Sequence, residues 1–207
     1  EAPPEDLTID EHGARFRVDL RTGQKTGFFL DQRLNRQRVR ELARGRVLNT
    51  FSYSGGFTIA AALGGAEDVL SVDISPEAIA LAEENARLND VSERCRFQVA
   101  NAFDYLRELE KAEERFDVVI LDPPAFTKNK ESIPGALRGY KEINLRAMRL
   151  VNPGGLLVSS SCSHHINPAM FVGMIADAAA DTRKRVRQIA LHGPSPDHPV
   201  LPAAPET

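Results

Sequence analysis

The alternation of apolar runs and helical stretches predicts an α/β protein with a mostly parallel sheet and helices on both faces. Short apolar runs alternate with helix-forming stretches along most of the chain, a pattern typical of βαβ units. A glycine-containing turn joins one apolar run to an Ala-rich stretch, and an acidic residue ends the next run. At 207 residues the chain is long enough for one α/β domain with a sizeable core.

Residues 1–30 predict a linker and a β-hairpin. Within residues 14–20, Phe16 and Val18 alternate with charged residues, as in a half-buried strand. We expect residues 21–24 to turn and Gly27–Leu30 to return as the second strand.

A helix is predicted after the hairpin. Asp31 is a suitable N-cap residue, and the helix would run to about Arg44. Its inward-facing residues would be Leu34, Val39 and Leu42.

The remaining elements follow in order and complete a domain at residues 31–192. The predicted strands are Arg46–Phe51, Asp68–Asp73, Arg96–Ala100, Phe116–Leu121, Leu156–Ser160 and Val186–Leu191. The predicted helices are Thr58–Leu63, Pro76–Leu88, Phe103–Lys111, Tyr140–Leu150 and Pro168–Ala180. Pro76 suits a first helical turn, and Pro153–Gly155 reads as a turn. Residues 193–207 hold five prolines and predict an irregular tail.

The glycine turn indicates a cofactor site. Gly55 and Gly56 would let the backbone approach a ligand closely, between a strand and a helix N-terminus. Asp73, seventeen residues after Gly56, would end the next strand, where a carboxylate can accept hydrogen bonds from ribose hydroxyls. Neither the Gly-x-Gly-x-x-Gly fingerprint nor a phosphate-binding loop is complete. S-adenosylmethionine, a nucleoside cofactor without phosphates, therefore fits better, although the glycines could simply make a tight turn.

A second motif, Asp122-Pro123-Pro124-Ala125-Phe126, follows the predicted strand Phe116–Leu121. It would lie at the carboxyl ends of the strands, where open α/β sheets bind ligands. Asp122 could accept a hydrogen bond or a proton, the prolines would fix the loop, and Phe126 could stack on a base. A rigid strand exit with an exposed carboxylate is the simpler alternative.

The two cysteines differ in position. Cys162 would follow the strand Leu156–Ser160 at the carboxyl edge, where a thiolate could act as a nucleophile. A small buried thiol that fills space is the alternative. Cys95 begins a strand at the opposite edge and reads as structural or merely exposed. No Cys/His set has metal-ligand spacing, since the adjacent His164 and His165 would point to different sides.

Charge and composition narrow the class of protein. The formal net charge is −3, yet residues 33–46 hold six arginines and residues 128–149 six basic residues. A third cluster lies at residues 183–187. Such clusters could bind RNA phosphates or could simply be solvated helix faces. No apolar run reaches membrane-spanning length, and two cysteines do not form a disulfide framework, so we expect a cytoplasmic protein without a membrane partner.

Five segments taken together resemble one family. They are Thr26–Arg33, Asn49–Phe57, Asp122–Phe126, Arg138–Asn144 and Ser161–Ser163. In this order they are similar to the class I large-subunit rRNA methyltransferases that carry an N-terminal PUA domain, whose bacterial members make 5-methylcytosine in 23S rRNA. The resemblance runs from about Phe16 to Glu206. It implies a Rossmann-like methyltransferase fold, S-adenosylmethionine as cofactor and ribosomal RNA as partner, with a homodimer as one option for the assembly.

The resemblance also implies roles for individual residues. Cys162 and Asp122 would be catalytic. The cofactor would contact Phe51, Ser52, Tyr53, Ser54, Gly55, Gly56, Asp73, Ile74, Asn101, Ala102 and Asp122. Asn101 stands where many relatives carry Asp. The substrate would contact Pro123, Pro124, Phe126, Lys128, Arg138, Tyr140 and Lys141.

The chain departs from the family pattern at both ends. The PUA domain is missing, and the family's last strand would follow residue 207. We therefore expect a fragment of a longer protein, in which the strand Val186–Leu191 lacks its antiparallel neighbour and leaves an exposed edge.

The implied reaction is methylation of cytosine at C5 through a thiol adduct at C6. Related RNA cytosine enzymes carry a second cysteine in the loop that here reads Pro-Pro-Ala-Phe, so a mechanism with one cysteine is implied. Asp122, Tyr140, His198 or water could remove the C5 proton. Guanine methylation, amino-group methylation of RNA or DNA, and an inactive cofactor-binding fragment remain alternatives.

Overall fold

The computed structural model describes residues 7–21, 27–127 and 129–199 of the chain. An antiparallel hairpin comes first, made of β1 (Leu7–Glu11) and β2 (Ala14–Val18). His12 and Gly13 form its turn, and both have positive φ angles, 54° and 79°. The hairpin packs through Phe16 and Val18 against the core of the following domain.

Five parallel strands form the central sheet. They are β3 (Gly45–Thr50), β4 (Ala66–Asp73), β5 (Cys95–Val99), β6 (Phe116–Leu121) and β7 (Val151–Ser159). Their order across the sheet is β5-β4-β3-β6-β7. The chain moves outward from β3 to β5 and then returns to the other side of β3. This reversal between β3 and β6 is the switch point at which open α/β sheets bind ligands.

Six helices cover the two faces of the sheet. They are α1 (Arg33–Leu42), α2 (Gly56–Leu63), α3 (Pro76–Leu88), α4 (Ala102–Lys111), α5 (Ile133–Leu150) and α6 (Pro168–Thr182). The hairpin and α1–α3 lie on one face, and α4–α6 lie on the other. The predicted fold class is confirmed: a Rossmann-like α/β sheet preceded by a small hairpin.

Strand alternation divides the core into two layers. Successive side chains of a strand point to opposite faces. Val47 and Val69 therefore pack under α1–α3, while Leu48 and Leu70 pack under α4–α6. All four side chains are buried, as expected for a parallel sheet covered on both faces.

The strand expected at Gly27–Leu30 is wrong. The partner of β2 is β1, which precedes it, and residues Leu30–Gln32 form a short 3₁₀ turn. Gly27 has a φ of +81°, and a Cβ there would lie 2.6 Å from the Asp19 carbonyl oxygen. This close approach redirects the chain so that Phe28 is buried against Phe16 instead of entering a strand.

The expected start of α1 is also wrong. Asp31 makes no cap hydrogen bond, and Leu34 is exposed. The Oγ of Ser195, far along the chain, accepts from the backbone N–H of Leu34 at 3.1 Å and donates to the carbonyl of Asp31 at 3.0 Å. The capping group therefore comes from the tail.

The strand expected at Val186–Leu191 is wrong as well. Residues 184–199 form neither helix nor strand, and Val186, Ile189 and Leu191 are exposed. Within the described residues β7 has β6 as its only strand neighbour, so residues 186–191 have no strand partner there. Residues Pro153–Gly155, expected as a turn, lie inside β7 where its register with β6 shifts.

Helix α5 begins at Ile133, seven residues before the expected start. Pro134 lies in its first turn, where a missing N–H costs nothing.

Candidate active site

A cavity of about 1290 Å³ opens at the switch point of the sheet. Its walls are the loops that follow β3, β4, β5 and β6, together with part of the hairpin and the start of α1. The predicted residues that line it are Phe51, Ser52, Tyr53, Ser54, Gly56, Asp73, Ile74, Asn101, Ala102, Asp122, Pro123, Pro124, Phe126 and Cys162. One cavity thus brings together the glycine turn, the acidic strand end, the Asp-Pro-Pro loop and the cysteine.

The glycine turn is held in an unusual backbone conformation. Phe51 and Tyr53 have φ angles of +58° and +45°, which non-glycine residues adopt only when their surroundings compensate the strain. Gly55, at +82°, lies against α3, where a Cβ would approach the Cβ of Ala82 to 3.0 Å. The Oγ of Ser52 is buried without a hydrogen-bond partner. A buried unpaired hydroxyl at the cavity wall suits a ligand with polar groups.

Asp73 is tied to this turn. One carboxylate oxygen accepts from the backbone N–H of Tyr53 at 2.8 Å, and the other accepts from that of Ser75 at 3.0 Å. Each oxygen can accept a further hydrogen bond, because a carboxylate offers about four lone-pair sites. Asp73 therefore fixes the turn and still presents acceptors to the cavity.

The ends of β4 and β5 contribute both polar and apolar surface to the cavity. Asn101 caps α4 through a hydrogen bond that its side chain accepts from Phe103 N–H at 2.9 Å. Ile74 is 67 % exposed on the cavity wall and is the most exposed large apolar residue of that wall. Ile74 and the ring of Phe103 offer apolar surface for a planar group.

Asp122 is oriented by a residue that the sequence analysis did not assign. The side-chain amide of Gln32 donates to Asp122 Oδ1 at 3.1 Å. The oxygen of the same amide accepts from Asn35 Nδ2 at 2.6 Å, which fixes its orientation. Gln32 belongs to the segment Thr26–Arg33, which carries part of the family resemblance. Its presence in that segment is the sequence signal that could have assigned it to the site.

Cys162 lies beside the Asp-Pro-Pro loop. Its Sγ contacts the carbonyl oxygen of Pro123 at 3.6 Å, and the residue is exposed at the cavity. Cys95, by contrast, is buried at the start of β5, and burial raises the pKa of its thiol to about 11. The structural reading of Cys95 is confirmed, and the two thiols differ sharply in access to solvent.

Three predicted substrate residues do not line the cavity. Tyr140 is fully buried, and its hydroxyl contacts Ser161 and Ser163. Burial raises the pKa of Tyr140, so its hydroxyl stays protonated near neutral pH and is poorly suited to act as a base. Lys141 pairs with Asp181 of α6 at 2.8 Å. Arg138 is exposed on α5, and the predicted Lys128 lies outside the described residues.

The basic cluster at residues 33–46 is largely used for internal pairing. Each of its arginines forms a hydrogen bond with another protein group. The acceptors are Asp197, Glu11, Glu41, the carbonyls of His12 and Gly154, and Asp68. Arg36 alone among them lines the cavity. This cluster therefore does not form one continuous basic surface over the site.

The sequence analysis also assigned no residue of the hairpin to the site, although part of the hairpin lines the cavity. The backbone N–H of Arg17 donates to Asn85 Oδ1 at 2.8 Å, and Asn85 Nδ2 donates to the carbonyl of Ser54 at 2.9 Å. Asn85 is fully buried and so joins β2, α3 and the glycine turn. Its position in the last turn of α3 gave no local signal of this contact.

The described residues contain no group of three or more His, Cys, Asp or Glu side chains that could hold a metal ion. Among the same residues, no helix is long and apolar enough to cross a membrane.

An open parallel sheet with a strained glycine turn and an acidic second strand end defines an α/β enzyme that binds a nucleoside-type cofactor. Comparison with known proteins identifies the family within this class. The model of the S-adenosylmethionine-dependent methyltransferase family matches residues 1–204. The chain belongs to this family, and S-adenosylmethionine is its cofactor.

Curated relatives and solved structures agree with this family. Ribosomal RNA large subunit methyltransferase I of Erwinia tasmaniensis is 46 % identical over 209 residues, and that of Aeromonas salmonicida is 45 % identical over 209 residues. Both alignments cover 100 % of this chain and 52 % of the relative, so the chain spans about half the length of these proteins.

Two solved structures share the fold. SMU.776, crystallised in complex with SAH, superposes with a TM-score of 0.88 at 28 % identity, over 100 % of this chain and 54 % of that one. A SAM-dependent methyltransferase from Agrobacterium tumefaciens superposes with a TM-score of 0.76 at 23 % identity, over 86 % and 59 % of the two chains, and shows the fold alone.

Proposed function

We propose that the protein methylates C5 of a cytosine in large-subunit ribosomal RNA, with Cys162 as the covalent nucleophile. The observation that carries this proposal is the shared cavity, in which an exposed thiol lies with the glycine turn and Asp122. The names of the curated relatives support ribosomal RNA as the substrate.

The cofactor is proposed to lie along the glycine turn. Residues 51–56 would surround its methionine part, and the unpaired Ser52 hydroxyl would bind one of its polar groups. Asp73 would accept hydrogen bonds from the ribose, and Asn101 and Ala102 would lie beside the adenine. Ile74 would cover one face of that ring, since it exposes apolar surface on the same wall.

The chemistry requires a nucleophile because C5 of cytosine is a weak carbon nucleophile. The Cys162 thiolate adds to C6, and the electron pair of the C5–C6 double bond moves toward the ring amidine and makes C5 electron-rich. C5 would then take up the methyl group of bound S-adenosylmethionine, whose methyl–sulfur bond would break and leave its electron pair on the sulfur of S-adenosylhomocysteine. Loss of the C5 proton to a base then restores the double bond and expels the thiolate, so Cys162 is regenerated.

Asp122 would hold the edge of the cytosine ring. Its carboxylate can accept from the exocyclic amine, and Gln32 fixes its orientation from the other side. Phe126 lines the same cavity and offers a ring on which the base can stack. Pro123 and Pro124 hold these two residues in one rigid loop.

Trapping with 5-fluorocytosine tests the covalent step. Fluorine at C5 cannot leave as the proton does, so RNA that carries this base should accumulate as a protein–RNA adduct through Cys162. Cys162→Ala should bind the cofactor and form neither adduct nor product. Cys95→Ala, the matched control at a buried thiol, should do both.

Mass spectrometry of the nucleosides from modified rRNA identifies the product. A methyl group at cytosine C5 agrees with the proposal, whereas methylguanosine or a methylated amino group would replace it with one of the alternatives. Cofactor binding without any product, measured on the full-length protein, would indicate a binding module. A Cys162→Ala variant that still makes 5-methylcytosine would exclude the covalent mechanism.

A further inference from the structure

The hydroxyl of Tyr140 contacts the residues on both sides of Cys162. Ser161 Oγ donates to the Tyr140 hydroxyl at 3.0 Å, and the Tyr140 and Ser163 hydroxyls are 2.8 Å apart. Tyr140 comes from α5 and is fully buried, with its ring centroid 4.5 Å from that of Phe126. A single buried group thus reaches the two neighbours of the proposed nucleophile.

Counting donors and acceptors shows which hydroxyl donates in the hydrogen bond between Tyr140 and Ser163. A tyrosine hydroxyl has one proton to donate. Because Ser161 donates to Tyr140, the Tyr140 proton is available for Ser163 Oγ. Ser163 Oγ also accepts from the backbone N–H of Phe126 at 3.0 Å, and Ser161 Oγ accepts from the backbone N–H of Ser163 at 3.3 Å. The hydrogen bonds form one continuous chain without a conflict between donors.

This series of hydrogen bonds joins the two loops that carry the proposed catalytic residues. Phe126 belongs to the loop after β6 and Ser163 to the loop after β7, so their hydrogen bond connects the loops directly. The contact of Cys162 Sγ with the Pro123 carbonyl lies between the same two loops. Without the Tyr140 hydroxyl, Ser161 would lose its acceptor and Ser163 would lose one of its two partners.

We propose that Tyr140 is a positioning residue, whose hydroxyl fixes the Cys162 loop against the Asp122 loop and so sets the place of the thiol. This inference rests on the proposed function for its effect on catalysis, but its effect on the thiol does not depend on that function. The ordinary alternative is a tyrosine that only satisfies its hydroxyl in the core. That alternative predicts a change in stability and nothing else.

The test uses Tyr140→Phe in the full-length protein, since phenylalanine keeps the ring and removes the hydroxyl. Ile143→Val is the stability control, because Ile143 is fully buried on the same helix and its side chain has no hydrogen-bonding group. Tyr105→Phe is the chemical control, a tyrosine on α4 outside the cavity wall.

The first measurement is alkylation of Cys162 by iodoacetamide, followed by peptide mass spectrometry. Tyr140→Phe should react at least threefold faster, because the thiol is no longer held beside the Pro123 carbonyl. Both control variants should react at the wild-type rate. An unchanged rate in Tyr140→Phe overturns the proposal, whatever the activity of the protein.

The second measurement separates binding from turnover. Tyr140→Phe should lower kcat at least tenfold while the Kd for S-adenosylmethionine and the KM for RNA stay within twofold. If wild-type protein makes no 5-methylcytosine, the proposed function fails and the alkylation result still decides the role of Tyr140. If Tyr140→Phe does not fold, Ser161→Ala replaces it and should accelerate alkylation at least twofold; a wild-type rate would refute the inference.

Discussion

The guanidinium of Arg36 forms two hydrogen bonds with the carboxylate of Glu11, each 2.7 Å long, and both side chains are buried. Arg36 also donates to the carbonyl of Phe29 at 2.9 Å and lies over the ring of Phe28, 4.3 Å from its centroid. Strand β1 is therefore attached to α1 by a bidentate, fully paired ion pair. Arg36 itself lines the cavity, and its side chain lies close against Gly56.

Removing one partner of this pair should strongly destabilise the fold. Glu11→Gln leaves the Arg36 charge buried without its counter-charge, so we expect the free energy of unfolding to fall by about 3–5 kcal/mol. Chemical denaturation followed by circular dichroism measures this. Glu41→Gln removes the exposed pair between Arg38 and Glu41 and should cost about 0–1 kcal/mol. Equal effects of the two substitutions would contradict a structural role for the buried pair.

The tail should stabilise α1. Ser195→Ala removes the hydroxyl that accepts from Leu34 N–H and donates to the Asp31 carbonyl. Loss of a helix cap costs about 0.5–2 kcal/mol, so thermal unfolding should show a lower Tm. Ser92→Ala is the control, because Ser92 is an exposed serine inside the 3₁₀ turn Ser92–Arg94 and is not a helix cap. A Tm for Ser195→Ala equal to that of Ser92→Ala would show that this cap contributes nothing.

The sequence predicted the elements that depend on local pattern. Helix Pro76–Leu88 and strand Phe116–Leu121 have the expected bounds, because proline at a first turn and a continuous apolar run are local signals. The motifs also predicted the cavity, since the carboxyl ends of parallel strands meet at one edge of the sheet.

The errors arose where a distant partner decides the structure. Gly27–Leu30 reads as a strand, but β2 pairs with β1 instead. The local sequence places Arg36 in a cluster of arginines that is typical of a solvated helix face. Its spacing of three residues from Val39, however, puts it on the same buried face of α1. Nothing local to Leu34 indicates that Ser195 supplies its hydrogen bond, because that contact depends on the tertiary fold.

Asp73 should contribute directly to cofactor binding. Asp73→Asn keeps one oxygen acceptor for the backbone of the turn and removes the charge, whereas Asp73→Ala removes both acceptors. We expect the affinity for S-adenosylmethionine to fall by about 1–3 kcal/mol in Asp73→Ala, the cost of leaving buried polar groups unpaired, and by less in Asp73→Asn. Isothermal titration calorimetry measures both, with the exposed Glu83→Ala of α3 as control. Unchanged affinity in Asp73→Ala would remove Asp73 from the cofactor site.

The buried thiol of Cys95 should make stability depend on alkaline pH. Burial raises its pKa to about 11 in the folded protein, while an unfolded thiol titrates at about 8.5–9. Between these values the folded state keeps a proton that the unfolded state loses, so the free energy of unfolding falls as pH rises through this window. The loss should total about 3 kcal/mol, since the pKa values differ by about two units and one unit corresponds to about 1.4 kcal/mol. Chemical denaturation at pH 8 and pH 10.5 measures this loss. The free energy of unfolding should fall less between these pH values in Cys95→Ala than in wild type. Equal falls in the two proteins would mean that this thiol titrates normally in the folded protein.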